Sequence, residues 1–196
     1  MSMELHERIN HVGYNYPFSG KSQLDLYKYV TSNCEHEVPM KGMKTETICN
    51  DYGNEWDTGL EELDNLLGWI ENQAVLAVNL MSHSTESMYC LERTRPDSFK
   101  IVETWGMYYP KGSGTLKHNH FPFPICFAYY INAPKGSSPF TLEGEDIPVR
   151  AGKVLYFKGD AMHEVKSSGV DGRCMLTGNI VYVPKQTLDK SSETVV

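Results

Sequence analysis

Three histidines carry the clearest chemistry in this sequence: His118, His120 and His163. The first two are separated by one residue in a run, Thr115 to His120, that reads as a β-strand. Strand alternation puts both imidazoles on one face. His163 lies at the start of another strand candidate, Met162 to Lys166. In a rolled-up sheet, strands distant in sequence lie side by side. Three imidazoles can then meet on one side of a metal and leave its other side open. A catalytic metal needs that opening, because substrate, cosubstrate or oxygen binds it directly. The same spacing also suits an ordinary pair of polar strand histidines. His6, His11, His36 and His83 read as surface residues, and Cys34 with His36 as part of a loop.

The elements that must position these side chains change character near residue 98. Before it, helix-like patterns dominate. Ser22 to Asn33 has a cap candidate in Ser22 and apolar positions Leu24, Tyr27 and Val30. Asp57 to Glu71 aligns Leu60, Leu63, Leu67 and Ile70 on one face, with Asp57 or Thr58 as cap. The run Ala74 to Met81 either continues that helix or stands alone. Residues 34–56 read as loop. After residue 98 the pattern is β: Phe99–Tyr109, Thr115–His120, Ile125–Asn132, Phe140–Leu142, Ile147–Val149, Lys153–Lys158, Met162–Lys166 and Arg173–Val183. Eight short strands with Gly, Pro and Asp turns between them argue for a sandwich or a jelly-roll barrel. The tyrosines Tyr14, Tyr16, Tyr27, Tyr29 and Tyr52 read as packing residues, and Trp105 as core beneath the site.

Composition narrows the function classes. The chain has 196 residues, with 25 acidic against 18 basic side chains and a net charge of −7. That balance disfavours non-specific binding to nucleic acid or to anionic membranes. No stretch approaches the ~20 apolar residues of a membrane-spanning helix. The start of the chain is polar and lacks the pattern of a secretion signal. The cysteines Cys34, Cys49, Cys90, Cys126 and Cys174 are odd in number and form no C-x-x-C pair. Reduced thiols and a cytoplasmic location are the expectation.

Two neighbourhoods add to the histidines. One runs from Tyr109-Pro110 through the Gly112-Ser113-Gly114 turn to His118-Asn119-His120, followed by Tyr129-Tyr130-Ile131-Asn132. The other runs from Gly152 through Tyr156-Phe157 to His163-Glu164-Val165, then Arg173 to Asn179. Together they resemble the 2-oxoglutarate/Fe(II)-dependent oxygenases, in particular the prolyl-hydroxylase-like branch and a related group of small microbial and phage proteins. The resemblance covers residues 99–183.

It implies a mainly β fold: a double-stranded β-helix (jelly roll) over residues 99–183. An N-terminal helical and irregular extension, residues 1–98, packs on that core as part of the same domain. Residues 184–196 form a polar tail. It also implies Fe(II), 2-oxoglutarate and O₂ as cofactors, with His118, His120 and His163 as metal ligands. Arg173 would hold the far carboxylate of 2-oxoglutarate, since a planar guanidinium grips a carboxylate with two parallel hydrogen bonds. Tyr109 and Tyr130 fall where the branch hydrogen-bonds the cosubstrate. Thr177 and Asn179 alternate with Arg173 and share its inward face. The implied reaction is hydroxylation of a peptide or protein side chain, or of a small molecule, with release of succinate and CO₂. A homodimer is left open.

Two positions depart from the family pattern. His120 stands where the triad usually has a carboxylate, which removes one negative charge from the ligand set. Met175 stands where many members carry a small hydroxyl residue. Three other readings compete. A cupin fits the Gly112 to His120 spacing, but Pro124 and Ile125 occupy the place of its glutamate. A zinc hydratase or hydrolase would use the three histidines and leave Arg173 unexplained. A non-catalytic jelly-roll binding module needs only the fold.

Overall fold

The computed structural model describes residues 11–16, 19–50, 55–82 and 99–183. His6, Tyr52, His83, Cys90 and the tail 184–196 lie outside the described residues. The first part of the chain forms β1 (His11–Asn15), α1 (Gly20–Asn33), β2 (Cys34–Glu37), β3 (Met43–Thr45), β4 (Ile48–Cys49) and α2 (Glu61–Ser82). The cap of α1 is Ser19, whose hydroxyl accepts from the Ser22 N–H at 3.1 Å. That satisfies one of the amides a helix start leaves open. Helix α2 opens with Glu61, Glu62 and Asp64, which favour the positive end of the helix dipole. It runs on to Ser82 because neither Gly nor Pro interrupts residues 72–82. Leu63, Leu66, Leu67, Ile70, Ala74, Ala77, Val78 and Met81 form its continuous buried stripe.

Residues 99–183 form β5 (Phe99–Tyr109), β6 (Thr115–His118), β7 (Ile125–Asn132), β8 (Phe140–Leu142), β9 (Glu145–Ile147), β10 (Lys153–Lys158), β11 (His163–Val165) and β12 (Arg173–Tyr182). They roll into two sheets, with neighbours in the orders β10-β7-β12-β5 and β6-β11-β8-β9, all antiparallel. This is the jelly roll expected from the sequence. The loop expected over residues 34–56 is a correction. There β2 and β3 extend the larger sheet beyond β5, and β4 also pairs with β5; β1 adds to β10 at the opposite edge. These strands are too short and too polar to show a period-2 pattern; sheet edges supply their pairing.

Period-2 alternation separates two cores. From β7, Phe127, Tyr129 and Ile131 face the helices, while Cys126, Ala128 and Tyr130 face the smaller sheet. From β10, Val154 and Tyr156 face the helices, Leu155 and Phe157 the smaller sheet. Tyr14, Tyr16, Tyr27 and Tyr29 pack against the helix-side core, as expected for packing residues. The buried Glu71 of α2 accepts from the Ile101 N–H at 3.0 Å and from Lys100 Nζ at 3.1 Å, which fixes the start of β5 on the helix.

Strand β5 changes face partway. Its register with β12 slips between Asn179 and Ile180, so Asn179 opposes Glu103 and Ile180 opposes Ile101. Val102 is the extra residue, a β-bulge whose carbonyl accepts from the Asn50 N–H at 3.0 Å. Before the bulge Phe99 and Ile101 face the helices; after it Met107 and Tyr109 face the smaller sheet. The bulge thus turns Glu103 and Trp105 toward the inside of the roll.

Candidate metal centre

Pairing of β11 with β6 sets His163 directly opposite His118. His120, two residues past the strand, joins them. The three ring nitrogens offered by these side chains all lie within 4.8 Å of one another. The backbone holds His120 in place: its N–H donates to the Gly159 carbonyl at 2.7 Å, and the Gly159 N–H donates to the Pro124 carbonyl at 3.2 Å. A β-carbon at Gly159 would sit 1.9 Å from the Phe123 carbonyl oxygen. Gly159→Ala is therefore expected to cost roughly 1–3 kcal/mol of stability and to weaken metal binding by shifting His120. Urea unfolding and metal titration of the variant check both.

Each ring is fixed in the same tautomer. His118 Nδ1 lies 2.8 Å from the Leu116 carbonyl, His163 Nδ1 3.1 Å from the Ala161 carbonyl, and His120 Nδ1 2.6 Å from Asn179 Oδ1. Carbonyl oxygens only accept, so each Nδ1 carries the proton and donates. The Nε2 lone pairs are left to converge, the arrangement metal-ligating histidines use. His118 Nε2 and His120 Nε2 are 3.1 Å apart. Two lone pairs that close repel unless positive charge sits against both, so the donor set fits a metal cation. Burial depresses the His163 pKa to about 3, with Ala161 opposing and His118 and His120 adding to the shift. Burial also lowers that of His120, opposed by the bond its Nδ1–H donates to Asn179 Oδ1.

These shifts predict acid sensitivity in the metal-free protein. Between pH about 6.5 and about 3 the unfolded chain binds a proton at His163 that the folded chain does not. Stability is then full above that window and falls as pH drops through it. Urea midpoints measured from pH 7 to pH 4 should decline, and less steeply in His163→Gln; equal slopes contradict the assignment.

The cleft in front of the cluster is walled by Trp105, Met107, Phe140, Phe157 and Met175, with Tyr109, Thr115 and Thr177 at its polar positions. Trp105 is half-buried, not core. Its ring stacks on His120 with centroids 5.6 Å apart, and Lys44 Nζ lies 4.4 Å over it. The bulge at Val102 gives it that direction. On the outer side, Leu116 and Phe121 are exposed by 54% and 76%.

Arg173 lies deeper, fully buried. Its guanidinium sits 5.3 Å from the Tyr109 ring centre and 5.2 Å from that of Tyr130. Nη1 donates to the Ser138 carbonyl at 2.7 Å. Nε and Nη2, together with the Tyr130 hydroxyl, are buried without a hydrogen-bond partner. A buried guanidinium in that state is costly. Two unpartnered nitrogens on one cation, with the Tyr130 ring beside the guanidinium, fit an anionic ligand. Burial raises the pKa of Tyr109 and of Tyr130, against the pull of Arg173, so both phenols keep their protons and can donate. The Tyr109 hydroxyl pairs with Thr115 Oγ1 at 2.8 Å.

The other two expected cofactor residues, Thr177 in the cleft wall and Asn179 against His120, have their polar groups engaged by protein partners. The Thr177 hydroxyl donates to the Phe127 carbonyl at 2.7 Å. The Asn179 amide is committed to His120, to Cys126 Sγ at 3.1 Å and to Glu103. Glu103 was not legible as a site residue, because only the unforeseen bulge turns it inward.

Alternating strands in two sheets, with histidines at the open end, define a jelly-roll protein with a metal-binding donor set. Among solved structures it is the fold of prolyl-4-hydroxylases and other 2-oxoglutarate–Fe(II) oxygenases. A Pseudomonas putida prolyl-4-hydroxylase superposes with a TM-score of 0.59 at 19% identity, covering 89% of this chain and 94% of its own. The collagen prolyl hydroxylase of Paramecium Bursaria Chlorella virus-1, in its 2-oxoglutarate complex, gives 0.61 at 10%, covering 92% and 100%. The epimerase SnoN, in complex with Fe³⁺, α-ketoglutarate and nogalamycin RO, gives 0.59 at 12%, covering 98% and 89%. No protein-family model and no curated protein matches the sequence. Solved neighbours thus include 2-oxoglutarate and iron complexes, and the three-histidine cluster is a donor set able to hold iron.

Proposed function

We propose that this chain is an Fe(II)- and 2-oxoglutarate-dependent dioxygenase that hydroxylates a substrate C–H bond. The observation that carries this reading is Arg173: a fully buried cation with unused donors, flanked by two neutral tyrosines, on the strand that also supplies Asn179 to the histidine cluster. A cupin or a hydrolase using the same histidines has no task for it.

In this reading His118, His120 and His163 hold the metal through Nε2. Arg173 and the Tyr130 hydroxyl anchor the distal carboxylate of 2-oxoglutarate, with Tyr109 against the guanidinium. Iron and 2-oxoglutarate, when bound, supply the oxidation: one atom of O₂ goes to the substrate and the other to succinate, with loss of CO₂. The protein's share is binding, orientation and exclusion of water. Phe140, Phe157, Met107 and Met175 wall the cleft with apolar surface and keep water from the reacting centre. In this reading substrate enters past Trp105, which lines the cleft. The exposed apolar side chains Leu116 and Phe121, close in sequence to His118 and His120, suit a peptide or protein side chain, or a small molecule with apolar surface.

The test is product formation. With Fe(II), 2-oxoglutarate, air and ascorbate, which supplies the two electrons that reduce the second oxygen atom when substrate is absent, the chain should release succinate above the background of His163→Gln. Succinate at the background rate overturns the proposal.

A further inference from the structure

We propose that Glu103 is a positioning residue of the metal centre. Through the Asn179 amide it fixes His120 in the tautomer that turns its Nε2 toward His118 and His163. The inference rests on the metal-binding reading above and adds a residue outside the ligand set.

The chain of bonds has one direction. The Glu103 carboxylate, when ionised, only accepts. Asn179 Nδ2 donates to it, so the amide must turn Oδ1 to its other side. There Oδ1 accepts from His120 Nδ1 at 2.6 Å and from the Cys126 thiol at 3.1 Å. His120 therefore carries its proton on Nδ1 and offers Nε2 to the cluster. With the amide flipped, two N–H groups would face the ring and the thiol. The ring would then have to accept at Nδ1 and carry its proton on Nε2, where a metal needs a lone pair.

His118 and His163 need no such device, because backbone carbonyls of their own strand regions hold their Nδ1 protons. Those acceptors cannot flip. His120 alone depends on a side-chain amide, whose two ends are alike in shape and opposite in hydrogen bonding. Glu103 removes that ambiguity. It reaches the amide because the Val102 bulge brings residue 103 opposite Asn179 and onto the inner face. The device thus spans three strands' worth of sequence: a bulge in β5, an amide in β12 and a ligand just past β6.

Because orientation is the task, a neutral acceptor should serve. In Glu103→Gln the side-chain oxygen can still receive Asn179 Nδ2. Glu103→Leu cannot receive it, and Glu103→Ala provides the same loss without added bulk.

The test uses the full metal-free chain with ¹⁵N-labelled histidine, then Co(II) as the probe metal. Long-range ¹H–¹⁵N spectra should show His120 protonated at Nδ1 in the wild type and in Glu103→Gln. In Glu103→Leu and Glu103→Ala they should show a mixture or the Nε2–H form. Co(II) affinity should stay within about 3-fold in Glu103→Gln and fall about 10-fold or more in the other two, the range seen when a ligand's outer partner is lost. Thermal melts of the metal-free variants separate this from unfolding. Retention of the Nδ1–H form and of wild-type Co(II) affinity in both Leu and Ala variants overturns the proposal. So does a loss in Glu103→Gln equal to theirs, since charge would then be the agent. If the wild type binds Co(II) no better than His163→Gln, the metal reading itself falls and takes the Glu103 proposal with it. Wild-type binding that survives unchanged in both Glu103→Leu and Glu103→Ala, with His120 still protonated at Nδ1, removes the Glu103 proposal alone.

Discussion

An Arg173→Met variant is expected to lose 2-oxoglutarate and to keep its metal. Truncating one partner of a buried, hydrogen-bonded charge pair costs about 2–5 kcal/mol. That corresponds to an affinity loss of roughly 30-fold to several thousand-fold. Metal affinity should stay near wild type, because no atom of Arg173 bonds any of the three histidines; its partner is the Ser138 carbonyl. Methionine retains much of the length and packing against Tyr109 and Tyr130 without the charge. The ligand-free protein should not lose stability in proportion. In the wild type it already buries a guanidinium whose Nε and Nη2 bond nothing, and removing such a charge relieves a desolvation cost. The signature is therefore a contrast: 2-oxoglutarate raises the melting temperature of the wild type and leaves that of Arg173→Met unmoved. Isothermal titration of 2-oxoglutarate into the metal-loaded variant gives the affinity directly. Wild-type affinity there would remove Arg173 from the site.

The second large effect is His163→Gln, which should abolish tight metal binding. His163 is the most buried of the three ligands and the one that comes from β11, opposite His118. Without it, two half-buried imidazoles from a single short segment remain, a donor set weak as a chelate. The glutamine amide keeps most of the volume between Phe140 and Phe157, whose rings lie 5.4 and 4.8 Å from the imidazole. Fold loss is thus not expected, and circular dichroism checks it. Metal content after gel filtration should fall from about one ion per chain, the stoichiometry of a single three-ligand site, to background. Retained stoichiometric metal would refute the cluster as the binding site.

Much of this was legible in the residues themselves. β-Branched and aromatic content, with turn residues between the runs, marked Phe99–Tyr109, Ile125–Asn132 and Lys153–Lys158 as strands whose bounds the structure reproduces. H-x-H with a distal histidine singled out a cluster that the structure brings together. Other features depend on pairing that no local pattern reveals. β1 to β4 are short, polar at many positions and stabilised by joining sheet edges. The Val102 bulge inverts the inside and outside of β5, so Trp105 reads as core by type and stands in the cleft by geometry. The same slip hid Glu103. Asn179 was placed on the correct face by alternation, but its partners are set by β5 across the strand pair, which sequence spacing does not contain.

The central claim is that one site holds Fe(II) and 2-oxoglutarate together, and anaerobic absorption spectroscopy tests it most directly. Fe(II) and then 2-oxoglutarate are added to the full chain without oxygen. The account predicts a visible metal-to-ligand charge-transfer band that requires both additions, and that is absent from His163→Gln and from Arg173→Met at the same concentrations. Stoichiometrically bound iron with no such band at saturating 2-oxoglutarate would contradict it.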